Sequence, residues 1–236
     1  MYTYKTGIAL IDDVTGGLGP GMNILILAPP LSGADTLGAC IARPGTGEYS
    51  IIISTEERSI DMANRFSAEN LNRNHIGIID AITKMSSPEA SDSVHVKFVA
   101  SPSDLTGIGI KFSQIVESIF NGEFEVSADV DLFPPPIRFY INSLSTLLMY
   151  RKLEVLYQFL HVLGAKLKKM EGFGVYILNN ESFDEKTVAV MKQLMNVVIE
   201  VKVESDGHYL RIRGLSGVSG DWYKFRIENG EVVIGK

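Results

Sequence analysis

Short apolar runs alternate with helix-period patterns along most of the chain. Residues 24–27 (Ile-Leu-Ile-Leu) are continuously apolar between Gly21 and Pro29-Pro30, the pattern of a fully buried strand. Residues 49–54, rich in β-branched side chains, predict a second strand. Ile60, Ala63 and Phe66 recur at helical spacing within a short helix over 59–68. Strands at 75–79 and 95–99 follow, separated by a polar, aperiodic loop over 85–93. Ser103 is placed to cap a helix carrying Ile110, Phe112, Ile115, Val116 and Ile119, which Asn121-Gly122 ends. Residues 123–136 are acidic, close on three consecutive prolines and read as an exposed loop. A strand at 137–141 then leads to the longest helical pattern, 150–171, where Leu153, Leu156, Tyr157, Leu160, Leu163 and Leu167 form one stripe beside Gly164.

A strand at 174–178 and a helix at 184–195 complete the alternation, and the last forty residues change character. Strands at 196–203, 209–213, 222–227 and 232–235 follow one another, with tight turns at Ser205-Asp206-Gly207 and Glu228-Asn229-Gly230. Alternation followed by terminal hairpins predicts an α/β fold with a mostly parallel central sheet and antiparallel carboxy-terminal hairpins. No internal repeat or interior boundary divides residues 1–236, so a single domain is expected.

Composition narrows the functional classes. The charge of −6 argues against wrapping nucleic acid with the whole surface. One cysteine, Cys40, excludes an intrachain disulfide and a cysteine-cluster metal site and points to a reduced, cytoplasmic setting. His75, His95, His161 and His208 are scattered, without metal-ligand spacing. The amino terminus has no signal-peptide pattern, and the longest apolar run is half of what a membrane-spanning helix needs, roughly 20 residues. No membrane association is expected.

The chemistry concentrates after the first strand. In this architecture a loop between the first strand and a helix holds phosphate, and the segment Ala28, Pro29, Pro30, Leu31, Ser32, Gly33, Ala34, Asp35, Thr36 fits the spacing G-x-x-x-x-G-K-[ST]. Three defining positions differ. Ala28 replaces the first glycine, Ala34 the lysine that neutralises β- and γ-phosphates, and Asp35 the hydroxyl that positions magnesium. Asp35 thus places a carboxylate where polyphosphate carries its own negative charge. A register shift would bring the Thr36 hydroxyl back, and a carboxylate can itself bind a metal.

Thr6 to Asp13, Gly16-Gly17-Leu18 and Gly21 with the proline-bearing loop resemble the opening of KaiC- and RadA-type members of the RecA superfamily. Residues 53–57 (Ile-Ser-Thr-Glu-Glu) look like that group's strand ending in paired glutamates, one of which orients the attacking water. Residues 137–145 resemble its second magnesium motif, with Asn142 where the motif has Asp. Arg211-Ile212-Arg213-Gly214 looks like the Lys-x-Arg-Gly that reaches the neighbouring subunit's nucleotide, with arginine for lysine. Residues 101–110 and 159–163, with Glu181, Asp184, Thr187 and Val188, resemble an archaeal branch of KaiC-like proteins, which implies an archaeal source. The resemblance covers nearly the whole chain and implies a three-layer RecA-like fold and self-association.

Three readings follow. In the first, a degenerate Walker motif leaves a catalytically inactive pseudo-ATPase domain, kept as a protein-interaction or regulatory module, with a protein partner or a further copy of itself and no cofactor. Glu56, Glu57 and Asn142 are then vestigial, with one glutamate solvated or paired with Arg58. In the second, a weak or nucleotide-gated ATPase uses ATP and magnesium through Asp35, Glu56 and Glu57, with Arg211 and Arg213 acting in trans. Those two arginines alternate along a strand and serve equally well as ordinary edge charges. Nucleic-acid binding inherited from recombinases is the third class, disfavoured by the acidic balance.

Overall fold

The computed structural model describes residues 2–66, 73–124 and 134–235. In chain order its elements are α1 (Ala9–Thr15), β1 (Asn23–Ala28), α2 (Ala34–Ala42), β2 (Tyr49–Ser54), α3 (Ser59–Phe66), β3 (Ile76–Asp80), α4 (Thr83–Ser86), β4 (Val96–Phe98) and α5 (Leu105–Phe120). The second half holds β5 (Ile137–Ile141), α6 (Leu144–Tyr150), α7 (Leu153–Lys169), β6 (Phe173–Asn179), α8 (Glu185–Lys192), β7 (Val197–Glu204), β8 (Gly207–Arg213), β9 (Tyr223–Glu228) and β10 (Glu231–Ile234). The strands form one sheet in the order β10-β9-β8-β7-β1-β6-β5-β2-β3-β4. From β7 to β4 neighbours are parallel, and β8, β9 and β10 add on antiparallel.

Strand geometry explains the layers. Successive side chains of β1 point to opposite faces, so its unbroken apolar run feeds two cores. Ile24, Ile26 and Ala28 pack with Leu37 and Ile41 of α2 and with Met62 and Phe66 of α3. Leu25 and Leu27 pack on the other face with α5, α6, α7 and Met191 of α8. A sheet covered on both faces needs apolar residues at every position of its central strands, which is why β1, β2 and β5 read as runs.

The sequence pattern needs three amendments. The cap of α5 is Asp104, whose carboxylate accepts from Gly107 N, one residue after the expected Ser103. The helical pattern over 150–171 is the end of α6 followed by α7, with Arg151 and Lys152 extended between them. A short helix, α4, opens the loop expected over 85–93. The expected end of the 59–68 helix and most of the 123–136 loop lie outside the described residues.

Gly214, which closes the Arg-Ile-Arg-Gly stretch, has a backbone reason to be glycine. Its φ is +96°, and a Cβ there would lie 2.3 Å from the carbonyl oxygen of Asn196. Gly214→Ala combines unfavourable backbone geometry with a backbone collision, and an expected loss of about 1–3 kcal/mol is measurable by urea unfolding. An unchanged midpoint would contradict this account of the turn.

Candidate functional site

The carboxyl ends of β1, β2, β5 and β6 open onto one crevice, the usual ligand position in an open α/β sheet. A cavity of about 240 Å³ lies there, lined by residues 28–35, Glu56, Asn142, Ser143, Ser145, Ile177 and Asn179. Fold topology therefore brings together the sequence-expected phosphate-loop segment, the first of the paired glutamates and the magnesium-motif position. Thr36 and Glu57 are not among the lining residues, and neither are Arg211 and Arg213.

The loop from β1 to α2 turns through two left-handed residues, Leu31 at φ 60° and Gly33 at φ 79°. Gly33 is the N-cap of α2. Leu31 is 99 % exposed at the loop tip, in a conformation that bulky side chains rarely adopt. Ser32 is 1 % exposed; its carbonyl accepts from His208 Nδ1, and its buried hydroxyl has no partner. Asp35 stands in the first turn of α2, where the helix dipole favours a carboxylate. Burial raises its carboxyl above the ordinary value; nearby Glu56 and Glu57 add to the rise, and Arg65 opposes it.

Each remaining polar group in the crevice has a local partner. Glu56 accepts from the Thr146 hydroxyl at 2.6 Å, and that hydroxyl also meets Ser143 Oγ at 3.1 Å. Glu57 pairs with Arg65 of α3, whereas Arg58 pairs with Asp61. The expected Arg58 partner is thus replaced by Arg65. Two turns of helix carry Arg65 back toward the end of β2. Asn142 Oδ1 accepts from the backbone N and the hydroxyl of Thr55, at 2.9 and 3.0 Å, and so ties the end of β5 to the end of β2. Among the described residues, no group of three or more His, Cys, Asp and Glu side chains is arranged to hold a metal ion.

Arg211 and Arg213 share a face of β8, as their alternation requires, and stand opposite Glu200 and Val198 of the paired strand β7. Both approach the Glu200 carboxylate, which Lys192 of α8 also reaches. Arg211 additionally lies over the Trp222 ring at 4.5 Å, and Lys202 Nζ lies at the same distance. Burial disfavours the charged form of Glu200, and hydrogen bonds from Arg211 and Lys192 outweigh it, holding the carboxyl below its ordinary value. This cation cluster was legible only as two alternating arginines, because Glu200 comes from β7 and Trp222 from the segment just before β9.

The sequence profile of a family of unknown function, DUF7504, matches residues 21–201. The chain belongs to that family. The match spans the phosphate-loop segment, the paired glutamates and Asn142, and stops before Arg211 and Arg213. No curated protein matches this DUF7504 chain. Among solved structures it is similar to a KaiC-like protein from the hyperthermophilic archaeon Pyrococcus horikoshii OT3. The TM-score is 0.67 at 16% identity, over 100% of this chain and 99% of that one. At that identity the likeness speaks for the fold alone, which is RecA/KaiC-like. Among the described residues no helix is long and apolar enough to cross a membrane.

Proposed function

We propose that this DUF7504 chain is a RecA/KaiC-like domain that does not hydrolyse ATP and serves as a protein-interaction or regulatory module. One observation carries the reading: among the described residues, the cavity at the phosphate loop is lined by two carboxylates, Asp35 and Glu56, and by no lysine, arginine or histidine. Phosphoryl transfer is catalysed mainly by positioned positive charge, and here the charge has the wrong sign. Arg65, the cation that acts on Asp35, is engaged by Glu57. Arg211 and Arg213 meet Glu200 within their own chain, which weakens the case for a trans role in a weak ATPase. Self-association or a heteromeric complex suits a module of this shape, and nucleic acid is disfavoured by the charge of −6.

A charge restoration tests the reading. The double variant Ala34→Lys, Asp35→Thr puts the lysine and the hydroxyl back at the pattern's positions. Calorimetry is expected to show Mg-ATP binding at least about tenfold tighter than in the starting protein, a change of about 1.4 kcal/mol. Equal affinities in the two proteins would sink the claim that these positions disable the loop.

A further inference from the structure

The former phosphate loop carries the charge of a cation site rather than an anion site. Asp35 and Glu56 line the same 240 Å³ cavity, and Glu57 stands close enough to Asp35 to act on its titration. Among the described residues the cation acting there is Arg65, which offsets Glu57 through a direct pair, so two carboxylate charges are left over. The α2 amino terminus contributes only about half a positive charge, with Asp35 already in its first turn. A second feature points independently to an occupant. Ser32 lines the cavity at 1 % exposure, and its hydroxyl has no partner, a cost of roughly 1–3 kcal/mol unless something bonds to it. Ser145 and Asn179 add further oxygens to the wall, with Ser145 Oγ already accepting from Asn179 N. The space suits a group of several heavy atoms, and among the described residues no three-ligand cluster suits a bare metal ion.

We propose that this cavity binds an organic cation, a guanidinium or alkylammonium group, held between the Asp35 and Glu56 carboxylates and capped by the Ser32 hydroxyl. The proposal rests on the non-hydrolysing reading above, since a cation and a polyphosphate cannot share the space. The cation comes either from a free small molecule or from an arginine or lysine side chain presented by a protein partner. Guanidinium matches two acceptors at once through its planar fork.

Titration of the isotope-labelled full chain with argininamide, followed by amide resonances of residues 32–36 and 179, tests it. Saturable shifts are expected with a dissociation constant on the order of 1 mM, weakening as salt rises from about 50 to 500 mM. The isosteric variants Asp35→Asn and Glu56→Gln are each expected to weaken binding about fivefold or more. Should a variant fail to fold, the salt dependence of the starting protein still decides. A tripeptide Gly-Arg-Gly binding more tightly than argininamide assigns the site to a partner's side chain, and the reverse order assigns it to a free cation. Absence of saturable shifts at tens of millimolar, or line broadening at these residues by Mn²⁺ without any response to argininamide, overturns the cation site. Mg-ATP binding with turnover instead overturns the reading on which it rests.

Discussion

Replacing Arg138 with methionine is expected to destabilise the fold by about 3–5 kcal/mol, read as a shift of the urea or guanidinium midpoint at constant slope. Arg138 is the second residue of β5 at 3 % exposure, and its guanidinium pairs with Glu48 at 2.5 and 3.1 Å. It also donates to the Ile41 carbonyl at the end of α2 and lies over the rings of Tyr4 and Phe173. Glu48, equally buried, accepts in addition from Gly45 N and the Tyr2 hydroxyl. The pair thus ties β5, the amino-terminal segment and the turn before β2 into one network. Removing the arginine strands a buried carboxylate, which is the costly direction. Replacing both partners with apolar residues of similar volume is expected to recover most of the loss. A single-variant effect under 1 kcal/mol would show that water reaches Glu48 in the folded protein.

The second large effect belongs to Asp80, at the end of β3 beside the crevice. Its fully buried carboxylate accepts from the backbone of Ser59, Ile82 and Thr83 and from the Thr83 hydroxyl, at 2.7 to 2.9 Å. It thereby fastens the start of α3, and with it Arg65, to the sheet. Burial works against the ionised form, and these four donors outweigh it, so the carboxyl titrates below its ordinary value. A depressed folded value means that the contribution is present above the unfolded pKa, about 3.9, and is lost as pH falls through the folded one. Asp80→Ala is expected to cost about 2–4 kcal/mol at neutral pH, and the gap between variant and parent should shrink progressively below about pH 4. A gap independent of pH would mean that shape rather than charge carries the effect.

The parallel sheet was legible because burial on both faces demands runs such as 24–27 and 49–54, which nothing polar interrupts. The terminal hairpins were equally plain from Asp206-Gly207 and Asn229-Gly230, where the observed β7–β8 and β9–β10 turns fall. Helix α6 went unread because Asn142-Ser143 looks like the end of a motif, while Ser143 is in fact the cap, its hydroxyl accepting from Thr146 N. The phosphate-loop departures at Ala28, Ala34 and Asp35 could be read letter by letter. The partners around them could not, since Arg65 reaches the site only through the path of α3. The sequence does carry one sign of the buried ion pair: Arg138 interrupts the apolar strand Ile-Arg-Phe-Tyr-Ile, and a charge within a buried strand requires a buried partner. Glu48, at the end of a glycine-rich turn, gives no such sign in the sequence.

The inverted charge at the phosphate loop is tested most directly by calorimetric titration of the unaltered chain with Mg-ATP at physiological ionic strength, with phosphate release followed in the same sample. The account predicts no micromolar binding and no release above the buffer rate. Micromolar binding accompanied by steady turnover would contradict it.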